Sequence, residues 1–251
     1  MKAVILAAGI ASRLRPLTSN TPKALLPVGG TPLLRRALLS LLGGGIREVV
    51  IVTGYLQQML ESTVRSFEAD LRITFVHNPL FETTNNNYSL WLTKGEILGE
   101  DLLMLDADIL FDHSILVDLV DSPLADALVV RTAGAVGPED VKVECDTSGH
   151  VVRIGKDIRP ERATGESLGI EKFSAATTHQ LFASLDRRKD RNEFYEASFQ
   201  EVIDGGAKIG VIDSGGRPCI EIDTPDDLKA ADRLASRMKL PAIRQTGHAR
   251  R

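Results

Sequence analysis

Cysteine is scarce in this chain of 251 residues. Cys145 and Cys219 are the only two, with no C-x-x-C spacing. That excludes a disulfide scaffold and a cysteine zinc site, and it fits a reducing, cytoplasmic setting. The five histidines (His77, His113, His150, His179 and His248) are scattered without metal-ligand spacing. An excess of basic charge is also lacking, since 30 Lys+Arg face 34 Asp+Glu for a net charge of -4. Domains that track phosphate backbones are normally basic, so no nucleic-acid partner is expected. No apolar run approaches the roughly 18 residues of a membrane span, so no membrane partner is expected either. The apolar start, Ala3 to Ala11, has the length of a short leader, but Arg13 and Arg15 fall where a cleavage region is uncharged. It is read instead as a buried first strand.

What is present suits one soluble α/β domain over residues 1–240, with 241–251 as a flexible, Arg-rich tail. The charge is unevenly placed: Lys2, Arg13, Arg15, Lys23, Arg35, Arg36 and Arg47 are not balanced by a single Asp or Glu before residue 48. Short apolar runs at Ala3–Ala7, Val49–Val52, Ile73–Val76, Leu102–Leu105 and Ala127–Val130 alternate with helical patterns. This is the signature of a Rossmann-like, mostly parallel mixed sheet flanked by helices. The first helix is expected to open with Thr31 as N-cap and Pro32 at its first position, and to stop at Gly43-Gly44-Gly45. Its polar side would carry Arg35, Arg36 and Ser40. Further helices are predicted near 56–67, 88–98 and 113–120. An accessory region follows over about 135–220, with a hairpin (141–144 and 151–154), a strand (168–173) and helices near 175–185 and 194–203. A last helix starts at Pro225.

The densest chemistry lies in Leu6-Ala7-Ala8-Gly9-Ile10-Ala11-Ser12-Arg13-Leu14-Arg15-Pro16-Leu17-Thr18, followed by Pro22-Lys23-Ala24-Leu25. Small residues let backbone amides approach a phosphate, and Arg and Lys supply charge. The run is neither a Walker A loop nor G-x-G-x-x-G, and by spacing alone a solvated basic loop competes with a phosphate cradle. Asp106-Ala107-Asp108 ends a predicted strand, where ligands bind in doubly wound sheets and where hard oxygen ligands suit Mg²⁺. A turn-forming Asp is the alternative. Glu221-Ile222-Asp223 supplies a second acidic pair, on one face by strand alternation. Asp226 and Asp227 suit a helix N-terminus. Asn85-Asn86-Asn87 suits a capping turn.

The first segment resembles the signature of the nucleotidyltransferases that make nucleoside-diphosphate sugars, L-A-A-G-x-G-x-R-L-x-P-L-T followed by P-K-x-L. The match continues through Pro27-Val28-Gly29-Gly30-Thr31-Pro32-Leu33, and Ala11 stands where that pattern generally has Gly. Asn85 to Leu90 and the Glu221-Ile222-Asp223 end resemble the bacterial phosphocholine cytidylyltransferases, in order, to about Leu234. The resemblance implies that loop amides and Arg13 hold the β- and γ-phosphates of CTP and that Lys23 reaches the reacting phosphate. It puts Leu6, Ala7, Ala8, Gly9, Ala11, Ser12, Asn86, Ser89 and Asp106 at the nucleotide, with Gly54 and Tyr55 beside the base. It implies a magnesium cofactor on Asp108 and Asp223, with Glu221 contributing.

For the acceptor, the resemblance suggests Lys156 for its phosphate and Glu166 and Glu171 for hydroxyl contacts. A quaternary ammonium is normally held by aromatic faces. In the accessory region Phe194 and Phe199 have helical, core-like positions, which leaves Tyr195 as the pocket candidate. The expected reaction is transfer of CMP from CTP to a small phosphorylated alcohol or phosphonate, with release of pyrophosphate. A sugar-1-phosphate nucleotidylyltransferase using UTP, dTTP or GTP is the alternative within enzymes, and a nucleotide-sensing module the alternative outside them. Monomer and homodimer are both compatible with the sequence.

Overall fold

The computed structural model describes residues 1–67 and 70–241; the expected tail lies almost wholly outside them. Strand β1 (Lys2–Ala7) runs into the glycine- and cation-bearing loop, which contains short 3-10 turns at Ser12–Leu14 and Lys23–Leu25. A tight hairpin follows, β2 (Pro27–Val28) and β3 (Thr31–Pro32), and then helix α1 (Leu33–Gly43). Next come β4 (Glu48–Thr53), α2 (Gln57–Arg65), β5 (Arg72–His77), α3 (Asn86–Leu92), α4 (Lys94–Ile97) and β6 (Leu102–Asp106). They are followed by β7 (Ile109–Phe111), α5 (His113–Asp121), β8 (Ala127–Arg131), β9 (Lys142–Cys145), β10 (Val151–Gly155) and β11 (Gly165–Phe173). The chain continues through α6 (Ala175–Arg187), α7 (Glu196–Asp204), β12 (Gly210–Asp213), β13 (Cys219–Glu221) and α8 (Pro225–Ala235).

Nine strands form one mixed sheet in the order β10-β9-β11-β6-β1-β4-β5, with β8 on β11 and β12 on β8. β1 is central and parallel to both β4 and β6, with Ile5 opposite Ile51 and Leu105. β11 is antiparallel to β6, β8 and β9, and β10 is antiparallel to β9, so these two strands run against the rest. The alternation of β1 divides the interior. Ala3, Ile5 and Ala7 pack with α1 and α5 on one face, while Val4, Leu6 and Ala8 pack with α6 and α7 on the other.

A third, smaller cluster joins the loop to the end of the chain: Leu14, Val28 and Leu33 meet Leu110, Ile222, Ala231 and Ala235. This cluster holds the cation-bearing loop over the carboxyl ends of β6 and β13. Truncating a fully buried leucine such as Leu14 would cost about 2–5 kcal/mol.

Several local expectations are corrected. Thr31 does not cap α1; it pairs with Val28 across a Gly29-Gly30 turn whose φ values are 58° and 73°, and the helix starts at Leu33. Arg36 and Ser40, expected on the polar side, are buried. Arg36 Nε donates to the Val28 carbonyl at 2.7 Å, and Asp232 of α8 receives the neighbouring Gly29 amide at 2.7 Å. The helix expected over 88–98 starts earlier, after Asn85, and breaks at Thr93, whose buried hydroxyl donates to the Leu90 carbonyl at 2.7 Å and bends the chain. β7 and β12 carry no sequence signal, because runs of three or four residues are too short to show a period, and the strand expected to hold Glu221 and Asp223 ends at Glu221, leaving Asp223 in the loop before α8.

Candidate active site

Asp106 ends β6, and Asp108 lies in the turn between β6 and β7. The antiparallel pair β7–β13 sets Glu221 opposite Ile109, and the Ile222 amide donates to the Asp108 carbonyl at 3.0 Å. Asp223 is fixed one residue before a capping box, in which Asp227 Oδ2 receives the amides of Asp223 (3.1 Å) and Thr224 (2.7 Å). The two acidic segments, more than a hundred residues apart in sequence, are thereby brought together. One carboxylate oxygen from each of Asp108, Glu221 and Asp223 lies within 4.8 Å of the others.

Lys23 enters this cluster from the loop. Its ammonium is 2.9 Å from Asp108 Oδ2 and 2.8 Å from Asp223 Oδ1, while Arg13 Nη2 is 2.6 Å from Asp223 Oδ2. Burial pulls the Lys23 ammonium downward, but Asp108 and Asp223 outweigh it and hold its pKa above the ordinary value. Burial works the other way on Asp223, where the Lys23 hydrogen bond and the charges of Lys23 and Arg13 keep the carboxyl low. On Glu221 the balance falls the other way: burial, Asp108 and Asp223 outweigh the charge of Lys23 and push the carboxyl up to about 7. Asp108 Oδ1 is buried and has no hydrogen-bond partner. Buried polar atoms are normally paired, so an oxygen donor left open between two further carboxylates suits a small hard cation.

The loop above leaves a run of amides open. Among the described residues, the amides of Gly9, Ile10, Ala11, Ser12 and Arg13 donate to no backbone carbonyl. Ala11 adopts the left-handed conformation (φ 53°, ψ 51°), which costs an L-residue about 1–2 kcal/mol and would be free for glycine. The Thr18 hydroxyl donates to the Ala11 carbonyl at 2.8 Å, and the Tyr55 hydroxyl donates to the Thr18 (3.0 Å) and Ser19 (2.7 Å) carbonyls. The loop's shape is therefore held from outside.

A cavity of about 350 Å³ lies between this loop and α3. Leu6, Ala7, Ala8, Gly9 and Ala11 line it, with Arg13, Lys23, Asn86, Ser89 and Asp106 of the predicted set. Ser12, Gly54 and Tyr55 do not. Gly54 instead packs under the loop, where a Cβ would come within 2.6 Å of the Ala8 carbonyl and 2.7 Å of Phe81. The sequence reading missed Asn78, Phe81 and Thr84, which also line the cavity. Asn78 is buried and donates to Thr84 Oγ1 at 3.0 Å and Ser89 Oγ at 3.1 Å, which rigidifies the turn before α3. An Asn-Pro after a strand is the only signal that pointed there.

A second cavity of about 290 Å³ continues from Arg13, Asp106, Glu221 and Asp223 toward the accessory strands. Lys156, Glu166 and Tyr195 line it. Lys156 lies 3.6 Å from Glu139 and 5.5 Å from the Phe194 ring centre, and Arg131 pairs with Glu166 at 2.9 Å. Phe199 belongs to the core, but Phe194 does not: it is 49% exposed and borders both cavities. It precedes α7 instead of sitting inside the helix, so helical spacing misassigned it.

Tyr195 is buried, and its hydroxyl donates to Asp106 Oδ2 at 2.7 Å. Glu171 is fully buried, is absent from the cavity wall, and has neither carboxylate oxygen paired. Burial and then the charges of Asp106 and Glu196 push the Glu171 carboxyl well above the usual range. Lys142 is also fully buried, and its ammonium donates to the carbonyls of Asp140 (2.9 Å), Lys156 (2.9 Å) and Pro138 (3.3 Å). Two loops bordering the second cavity are thus tied to one cation.

Comparison with known proteins bears on this geometry. The family model described as nucleotidyl transferase matches residues 2–137. A CMP-5'-(3-aminopropyl)phosphonate synthase of Streptomyces rubellomurinus is 30% identical over 92% of this chain, which spans only 38% of that protein's length. A choline-phosphate cytidylyltransferase of Streptococcus pneumoniae is 30% identical, covering 93% of this chain and 98% of the other. Among solved structures, the inositol-1-phosphate CTP transferase from T. maritima shares the fold, with a TM-score of 0.79, 23% identity and coverage of 94% and 95% of the two chains. No helix among the described residues is long and apolar enough to cross a membrane.

Proposed function

We propose that this chain, which belongs to the nucleotidyl transferase family, transfers CMP from CTP to a small phosphorylated alcohol or phosphonate and releases pyrophosphate. The observation that carries the reading is the Lys23 ammonium bridging Asp108 and Asp223, beside Arg13 and beneath a loop of uncommitted amides. A solvated basic loop would have no reason to direct a half-buried cation onto two half-buried carboxylates.

The chemistry asked of the protein is positioning and charge neutralisation. The amides of Gly9 to Arg13 and the Arg13 guanidinium would cradle the β- and γ-phosphates. Lys23 would move from its carboxylates onto the α-phosphate, where negative charge grows as an acceptor oxygen attacks and the pyrophosphate oxygen departs. The acceptor is a phosphate or phosphonate, largely ionised near neutral pH, so no side chain has to remove a proton from it. Asp108, Glu221 and Asp223 would hold a magnesium ion, to which Asp108 Oδ1 offers an unpaired oxygen. Bound there, the ion supplies Lewis-acid stabilisation of charge on the α-phosphate. The cavity lined by Asn86, Ser89 and Phe81 would receive the nucleoside, and the cavity bordered by Lys156 and Glu166 the acceptor.

Choice of CTP rests on the relative from Streptococcus pneumoniae, a cytidylyltransferase by name. The test is pyrophosphate release from CTP, UTP, dTTP and GTP with a panel of acceptors. CTP should support turnover with phosphorylated alcohols or phosphonates. Preference for UTP, dTTP or GTP with a sugar 1-phosphate would replace this reading with the sugar-nucleotide one.

A further inference from the structure

Asp223 has no carboxylate oxygen to spare. Its Oδ1 accepts from the Lys23 ammonium at 2.8 Å, and its Oδ2 accepts from Arg13 Nη2 at 2.6 Å. The same ammonium lies 2.9 Å from Asp108 Oδ2, so two of the three carboxylates placed to hold a metal ion are bridged by a cation of the protein itself. Asp108 at least keeps Oδ1 unpaired. The carboxylate is the fixed half of these contacts, since the Asp223 amide is tied to Asp227 Oδ2 at 3.1 Å. Arg13 and Lys23 reach it from two short turns anchored by buried Leu14, Ala24 and Leu25. Their long stems rotate, so the cations are the half that can move.

We propose that Lys23 and Arg13 stand in for the metal at Asp223, so that a polyphosphate and a divalent metal bind with positive coupling: phosphate oxygens draw the two cations off Asp223, and the freed oxygens take the metal. The inference rests on the cytidylyl-transfer reading above and adds how its two charged ligands depend on each other. A hard divalent ion sits about 2.0–2.1 Å from its carboxylate oxygens. An ammonium left on the same oxygens would lie within a few ångströms of it, where like charges repel. One of the two must go. The amides of Gly9 to Arg13, which donate to no backbone carbonyl among the described residues, give the polyphosphate its first hold beside both cations. Once Lys23 and Arg13 turn to it, the metal replaces their charge at Asp223 and no carboxylate is left uncompensated. By reciprocity, the metal tightens polyphosphate binding by the same factor. Without a polyphosphate, the protein's own cations hold a divalent ion to weak binding.

The experiment titrates Mn²⁺, a paramagnetic substitute for Mg²⁺, into the full chain without nucleotide and counts the free ion by electron paramagnetic resonance. Lys23→Met should tighten Mn²⁺ binding by about tenfold or more, in the usual range of coupling between two sites. Arg13→Met should tighten it less, because that side chain is 68% exposed and its contact is screened by water. Asp223→Asn in the Lys23→Met background should take the gain back, since the freed oxygen is the ligand. Arg15→Met controls for charge alone: Arg15 is exposed and lines neither cavity, so its loss should leave the affinity within about twofold. Unchanged or weaker binding in Lys23→Met, or an equal gain in Arg15→Met, would overturn the coupling. Wild type and variants that all bind no Mn²⁺ would overturn it as well. Cytidylyl transfer is judged separately, by CTP turnover of the wild type, and survives either result. No Mn²⁺ binding together with no CTP turnover would overturn both.

Discussion

The ammonium of Lys23 lies 2.9 Å from Asp108 Oδ2, although the two residues are 85 positions apart and on different elements. The contact links the cation-bearing loop to the acidic floor, so each residue should matter to turnover more than to folding. Lys23→Ala and Asp108→Ala should each lower kcat by about 10²-fold or more, as removal of preorganised charge stabilisation does. Circular dichroism should show both variants folded. Near-wild-type rates in either would remove that residue from the chemistry.

The acidic triad predicts a cation effect that can be seen without substrate. Millimolar Mg²⁺ should raise the melting temperature of the wild type, because a ligand that binds only the folded state stabilises it by mass action. Asp223→Asn should lose most of that shift, and EDTA should abolish turnover. A melting temperature indifferent to Mg²⁺, in wild type and variant alike, would count against a metal site there.

Gly54 supports the loop by having no side chain. A Cβ would lie 2.6 Å from the Ala8 carbonyl and 2.9 Å from the Ala8 methyl, so Gly54→Ala must displace the nucleotide loop or the turn at Phe81. Overpacking of this kind costs about 1–3 kcal/mol. Urea denaturation should show that loss, and KM for CTP should rise while KM for the acceptor changes little.

Lys142 should act in the opposite sense. Lys142→Met keeps the length of the side chain but leaves the carbonyls of Asp140 and Lys156 without their buried donor. A lost buried hydrogen bond costs about 1–3 kcal/mol in stability. The loops that border the acceptor cavity should loosen, which raises KM for the acceptor and spares KM for CTP. Lys142→Arg, which keeps the donors, should recover part of the effect.

Much of the frame was legible before the structure. The buried runs around Ala3–Ala7, Val49–Val52 and Leu102–Leu105 are the three central strands, because parallel strands covered on both faces are apolar throughout. The acids Asp226 and Asp227 were readable as the start of α8, because carboxylates favour the first turn of a helix. What escaped depended on tertiary context. β7 is too short to carry a pattern, yet its pairing with β13 is what brings Glu221 to Asp108. Arg36 looked like a solvent residue until the hairpin carbonyl at Val28 required a donor. Phe194 looked like core because helical spacing cannot tell a helix interior from the residue just before its start. The orphaned oxygens of Glu171 and Glu196 have no sequence signal, since only packing decides which carboxylates are shut off from water.

Transfer of CMP is seen most directly as pyrophosphate release from each of four nucleoside triphosphates with Mg²⁺ and a saturating short phosphorylated or phosphonate acceptor. CTP should exceed UTP, dTTP and GTP by about tenfold or more, with the CMP-linked acceptor as the second product. Pyrophosphate release favouring another nucleotide, or none from CTP with any acceptor, would mean that this chain is not a cytidylyltransferase.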